Sequence, residues 1–136
     1  MYSFDQTMQN IQAVHHIAII CSDYDRSKHF YVHLLGFSII REVFREARQS
    51  YKLDLQVDSQ TQIELFSFPN PPERPCYPEA CGLRHLAFSV ADLDLAIADL
   101  SAKGIETEPV RVDEWTGKRF TFFKDPDGLP LELYER

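Results

Sequence analysis

The chain of 136 residues carries 21 acidic and 14 basic side chains, a net charge of −7, with 44% hydrophobic and 12% aromatic residues. That balance excludes intrinsic disorder and a general nucleic-acid or anionic-membrane surface, and leaves room only for a local basic pocket. The length suits a single domain over 1–136 with a substantial core. Residues 1 to 12 read as a loose polar arm, without the basic-then-apolar order of a signal peptide. No apolar run approaches the ~20 residues that span a bilayer, so a cytoplasmic protein is expected. A strand is predicted over 14–20, then a helix from Asp23 to Leu35 with Ser27, Phe30, Tyr31, Leu34 and Leu35 on one stripe. Gly36 follows as its left-handed cap. Strands are predicted at about 37–45, 51–57 and 61–68, the last two separated by the turn Asp58-Ser59-Gln60. Residues 69–82 hold Pro69, Pro71, Pro72, Pro75 and Pro78, and proline cannot donate to a ladder, so they form an extended linker. Beyond it come a strand over 84–90 and a helix from Asp92 to Lys103 with Leu93, Ala96, Ile97 and Leu100 inward. Strands near 105–112, 118–124 and 130–135 complete the chain, the last two joined by a tight turn at Asp125-Pro126-Asp127-Gly128.

The two halves repeat. Val14-His15-His16-Ile17-Ala18-Ile19-Ile20-Cys21-Ser22-Asp23 aligns with Leu83-Arg84-His85-Leu86-Ala87-Phe88-Ser89-Val90-Ala91-Asp92, placing His16 on His85, Ala18 on Ala87 and Asp23 on Asp92. Gly36 and Gly104 close the two helices, and Gln62-Ile63-Glu64-Leu65-Phe66 matches Pro130-Leu131-Glu132-Leu133-Tyr134. His16 to Glu64 spans 48 positions and His85 to Glu132 spans 47. Each half therefore reads βαβββ, module one over about 13–68 and module two over about 83–136. By strand parity His16, Glu64, His85 and Glu132 all stand on sheet faces opposite the helices. The fold class is α+β: two tandem βαβββ modules forming a curved mixed sheet around a metal-binding cavity.

A strand histidine taken alone is usually a hydrogen-bonded core or edge residue, and a glutamate between aliphatics is usually a solvent-facing position. Four of them in one duplicated register point to a divalent transition metal. Four protein ligands leave two positions of an octahedron for water or substrate, the opening a catalytic centre needs. Zinc, nickel, cobalt, manganese and ferrous iron all accept such ligands. His15 aligns with Arg84, which ranks it behind His16 as a ligand. Cys21, Cys76 and Cys81 are odd in number and form no C-x-x-C pair, a pattern of reduced thiols rather than a disulfide framework.

On these residues the chain resembles the vicinal oxygen chelate (glyoxalase/bleomycin resistance/dioxygenase) superfamily, and within it the glyoxalase I (lactoylglutathione lyase) type. The resemblance covers about residues 14–135. Its most specific parts are His16-Ile17-Ala18-Ile19 running to Asp23, Phe30-Tyr31 to Leu35-Gly36-Phe37, Ile63-Glu64-Leu65, His85 to Val90, and Asp125-Pro126-Asp127-Gly128 through Leu131-Glu132-Leu133. It implies a homodimer with His16, Glu64, His85 and Glu132 as ligands of Ni²⁺ or Zn²⁺. It also implies a lyase or isomerase that converts the hemithioacetal of a 2-oxoaldehyde through a metal-stabilised enediolate. Glu132, ahead of Glu64, would move the proton between adjacent carbons. Where glyoxalase I has an arginine against the glutathione carboxylate, this chain has Ile19, and Arg74, Lys118 and Arg119 are the candidates for an anionic tail. The alternatives are another reaction of the superfamily (epimerase, dioxygenase or thiol transferase) at the same metal, or a non-catalytic binder of a small molecule.

Overall fold

The computed structural model describes residues 10–136. The loose arm expected over 1–12 lies outside the described residues up to residue 9. In chain order the elements are β1 (His16–Cys21), α1 (Tyr24–Lys28), β2 (Ser38–Arg45), β3 (Ser50–Gln56), β4 (Gln62–Ser67), β5 (Leu86–Val90), α2 (Leu93–Ala102), β6 (Arg111–Val112), β7 (Arg119–Lys124) and β8 (Pro130–Glu135). They form two four-stranded mixed sheets with the same order, β1-β4-β3-β2 and β5-β8-β7-β6. In each, the first strand runs parallel to the last, and the helical segment after the first strand carries the chain across to the far edge of the sheet. The duplicated βαβββ reading of the sequence is thus the architecture of the molecule.

Local chemistry sets the helix starts. Asp23 lies in extended backbone and its side chain accepts the Arg26 N–H at 3.1 Å, and Asp92 repeats this with the Leu95 N–H at 3.0 Å. The first helix departs from the α-helix expected to Leu35. Over His29–Leu34 it is π-helical, and the Leu35 N–H reaches the Phe30 carbonyl at 2.9 Å. The wider turn lets the adjacent Phe30 and Tyr31 both face inward, where both are buried.

The strand expected over 105–112 is reduced to Arg111–Val112. Glu108 N–H donates to the Phe122 carbonyl at 2.9 Å, but Pro109 next to it has no N–H with which to continue a ladder. The strand expected from residue 84 begins at Leu86, leaving His85 just ahead of the paired ladder.

One hydrophobic cluster serves both modules. Ile19, Leu53, Leu55, Ile63 and Leu65 from the first sheet join Leu131, Leu133 and Phe123 from the second, with Phe30, Tyr31, Leu93 and Leu100 from the helical segments. The halves are also tied by polar contacts. The Tyr31 hydroxyl donates to Asp125 Oδ2 at 2.7 Å, Ser22 N–H to Asp127 Oδ2 at 3.0 Å, and Lys103 Nζ to the Leu34 carbonyl at 2.8 Å. Because strand side chains alternate, filling this core with the odd-numbered residues of β1, β4 and β8 turns His16, Glu64 and Glu132 to the opposite faces. No helix among the described residues is long and apolar enough to cross a membrane.

Candidate metal centre

Parallel pairing of β1 with β4 sets Ala18 opposite Glu64, and that of β5 with β8 sets Ala87 opposite Glu132. Each glutamate thus faces a methyl group on the neighbouring strand, which leaves space beside it for the histidine two residues earlier. In the first module His16 Nε2 lies 3.5 Å from Glu64 Oε2. In the second, His85 Nε2 lies 3.2 Å from Glu132 Oε1. Both glutamates are largely shielded, and both imidazoles are part-exposed at the edge of their pair.

Each imidazole is held from behind. His16 Nδ1 meets His15 Nδ1 at 2.9 Å, one ring donating and the other accepting, which leaves Nε2 for Glu64. His85 packs edge-on against Phe122 with ring centroids 5.0 Å apart. Just upstream, the Arg74 guanidinium donates to the carbonyls of Leu83 at 2.7 Å and Arg84 at 2.9 Å, clasping the linker to the residues that carry His85. A cavity of about 310 Å³ opens beside His85, with Arg111, Phe122 and Cys76 in its wall.

The structure therefore brings the four predicted ligands together as two pairs. Among the described residues no third histidine, cysteine, aspartate or glutamate joins either pair in a metal-holding group. An imidazole nitrogen and a carboxylate oxygen on one sheet face are suitable donors for a divalent transition metal.

The model of the Glyoxalase/Bleomycin resistance protein/Dioxygenase superfamily matches residues 13–133, spanning both modules. The chain belongs to that superfamily. It is 66% identical over 126 residues to the uncharacterized protein YwkD of Bacillus subtilis, covering 93% of this chain and 98% of that one. It is 62% identical over 129 residues to the uncharacterized protein YaeR of Escherichia coli, covering 95% and 100%. A more distant relative is the 2-epi-5-epi-valiolone epimerase of an Actinomyces species, 30% identical over 142 residues, covering 89% and 78%. Among solved structures, a glyoxalase family protein of Enterococcus faecalis superposes with a TM-score of 0.87 at 53% identity, covering 92% and 98%. The trypanothione-dependent glyoxalase I of Leishmania major superposes at 0.68 with 25% identity, covering 90% and 86%.

Arg119 shares strand parity with the core residues Thr121 and Phe123, so it stands on the helix side of its sheet, opposite to the His85–Glu132 pair. It donates to Glu135 at 2.7 Å and to Asp94 at 3.2 Å. Lys118 is exposed in the connection before β7. Ile19, at the position of the glyoxalase I arginine, is buried in the shared core. The first sheet instead carries a charged row that motif reasoning passed over. Lys52 Nζ lies 2.7 Å from Asp54 Oδ1 and 3.8 Å from Glu64 Oε2, and Arg41 Nη2 donates to Asp54 Oδ2 at 3.0 Å. Burial alone would raise the Asp54 carboxyl, but its hydrogen bonds from Lys52 and Arg41 hold it below the usual carboxylate range. The signal was present in Tyr51-Lys52-Leu53-Asp54-Leu55, whose alternation puts Lys52 and Asp54 on the face of Glu64. Cys21 is buried, and desolvation pushes its thiol up to about 11, the state of an inert packing residue.

Proposed function

We propose that this protein is a divalent-metal-dependent enzyme of the glyoxalase type, acting as a homodimer in which His16 and Glu64 of one chain and His85 and Glu132 of the other hold one metal ion. The observation that carries the reading is the duplicated His–Glu pair, two donors on the open face of each sheet. A single pair is too few for a stable site, and the sheet faces that bear the pairs point away from the core their own modules share. Pairing an open face of one copy with the complementary face of a second supplies four ligands and covers exposed apolar side chains such as Ile20 and Val43.

When bound, the metal supplies Lewis acidity towards two adjacent substrate oxygens. The work of the chain is to hold and move a proton. Glu132 is the more shielded carboxylate of the two, 9% exposed, and would take a proton from one substrate carbon and return it to the neighbouring carbon. Glu64 stands in the equivalent position across the site. His16 and His85 keep both carboxylates oriented, and the Phe122 ring excludes water beside His85. A hemithioacetal of a 2-oxoaldehyde fits this chemistry. The 30% identical epimerase favours a second reading, in which a proton is taken from one side of a carbon and a proton is delivered to the same carbon from the other side.

The deciding experiment joins elemental analysis, sedimentation and turnover. We expect one divalent metal ion per His16/Glu64/His85/Glu132 set, a dimer in solution, and isomerisation of methylglyoxal with a thiol that Glu132→Gln abolishes. Metal-free protein from medium containing nickel and zinc would refute the metal reading. Metal-loaded protein inert towards methylglyoxal with every thiol, but exchanging a substrate C–H proton with solvent deuterium, would favour the epimerase.

A further inference from the structure

The open face of the first sheet continues beyond the His16–Glu64 pair into a cationic shelf. Strand register puts Lys52 beside Phe66 and Arg45 beside Ser50, on the same face as Glu64. The Arg45 guanidinium lies 4.9 Å over the Phe66 ring and 5.8 Å over Phe68, and Arg48 lies 5.3 Å over Phe68. Phe66 and Phe68 stack with centroids 6.0 Å apart and form a rigid floor.

The charges on this shelf do not balance. Asp54, 2% exposed, is shared by Lys52 and Arg41, and Glu64 lies 3.8 Å from Lys52, so two carboxylates face the three cations Arg41, Lys52 and Arg45. Arg45 has no carboxylate within 4.0 Å among the described residues. Its Nη2 donates to Ser50 Oγ at 3.0 Å, and its Nε is shielded from water without any hydrogen-bond partner. In a chain with 21 acidic residues this is an expensive way to place a guanidinium, because a shielded donor left unpaired costs free energy and stacking on rings recovers only part of it. An anion arriving from solvent would complete it.

We propose that Arg45 and Lys52 form a subsite for a carboxylate or phosphate group of the substrate. The inference rests on the metal reading for its other half: the substrate chelates at His16 and Glu64 and extends along β4 towards Phe66. Glu64 and Phe66 are two residues apart on one strand, about 7 Å. The substrate class is therefore a small oxygen-chelating compound with an anionic group two or three bonds beyond the chelating atoms. The planar fork of Arg45 suits two parallel hydrogen bonds to either anion, and Lys52 adds a point charge between the tail and the metal ligands.

Two arms test this and fail separately from the metal reading. In the first, inorganic phosphate is titrated into metal-stripped protein and followed by ³¹P NMR. Saturable binding is expected, weakened by about tenfold or more in Arg45→Met and Lys52→Met and partly restored in Arg45→Lys. Circular dichroism confirms that each variant is folded. In the second, metal-loaded protein is titrated by calorimetry with glycolate, malate and 3-phosphoglycerate. The two acids with an anionic tail should bind about tenfold more tightly than glycolate, and that ratio should fall towards one in Arg45→Met while the bound metal stays unchanged. Whichever of malate and 3-phosphoglycerate binds more tightly identifies the anion. Phosphate binding that is absent, or equal in wild type and Arg45→Met, overturns the subsite. If the protein takes up no metal, the first arm alone decides it.

Discussion

Replacing Tyr31 with phenylalanine removes one oxygen atom from the junction between the modules and leaves the ring in place. Tyr31 is fully buried, and its hydroxyl donates to Asp125 Oδ2 at 2.7 Å. Oδ1 of the same carboxylate accepts the N–H groups of Asp127 and Leu129, both at 2.9 Å, which shapes the tight turn before β8. Asp125 is only 5% exposed, so water has little access to the oxygen that loses its donor. A buried acceptor stripped of its partner costs ~1–3 kcal/mol, and we expect about 2 kcal/mol here. For a domain of this size that lowers the melting temperature by roughly 5–10 °C.

The pH dependence has a definite sign. Burial raises the Asp125 carboxyl above its usual range despite its three donors, and burial likewise keeps the Tyr31 hydroxyl protonated. A raised folded pKa favours the fold below the unfolded value, near ~3.9, and that contribution is lost as pH climbs through the folded value. Removing a donor to the carboxylate raises the folded value further. The deficit of Tyr31→Phe should therefore widen between pH 4 and pH 7, read from urea unfolding at each pH. A loss under about 0.5 kcal/mol, or a deficit larger at pH 4 than at pH 7, would refute this account of the junction.

Arg74→Met frees the carbonyls of Leu83 and Arg84 from their clasp, so the affinity for divalent metal should drop by about tenfold, measured by competition with a chromophoric chelator. Unchanged affinity would remove Arg74 from the support of His85. Gly128 has φ +84° in the turn before β8, and no atom lies near the space a Cβ would fill. Gly128→Ala should therefore cost about 1 kcal/mol through backbone strain alone, visible in urea unfolding. Hydrogen bonds from Lys28 and then Tyr24 hold Glu42 below its usual range. Its contribution is present above the unfolded pKa and is lost as pH falls through the lowered folded one. Acid unfolding of Glu42→Gln should thus be less steep than that of wild type below about pH 4.

The superfamily, the α+β class and the two βαβββ modules could be read from the chain because they rest on local signals. A histidine two residues before an alanine, an aspartate that caps the next helix and a glutamate between aliphatics recur in one register, and strand parity tells which face each occupies. Parity also marks Lys52 and Asp54 as neighbours of Glu64, although a search for metal ligands overlooks them. Other features depend on competition between neighbours. The π-helical His29–Leu34 segment exists because Phe30 and Tyr31 both find room in the core, and Pro109 cuts β6 short by withholding one N–H.

The order of residues along the chain determined what each half is: its strands, its caps and the pairing of one histidine with one glutamate on a common face. Tertiary structure decided how the halves use each other. They bury their helix-side faces in one core, so the His16–Glu64 and His85–Glu132 pairs stand on the opposite faces. It also left Arg45 on an aromatic floor with no carboxylate within 4.0 Å among the described residues. The reason is physical: alternation along a strand is set by the backbone of a few residues, whereas the choice of which faces meet is made by the total apolar area that the whole chain can bury.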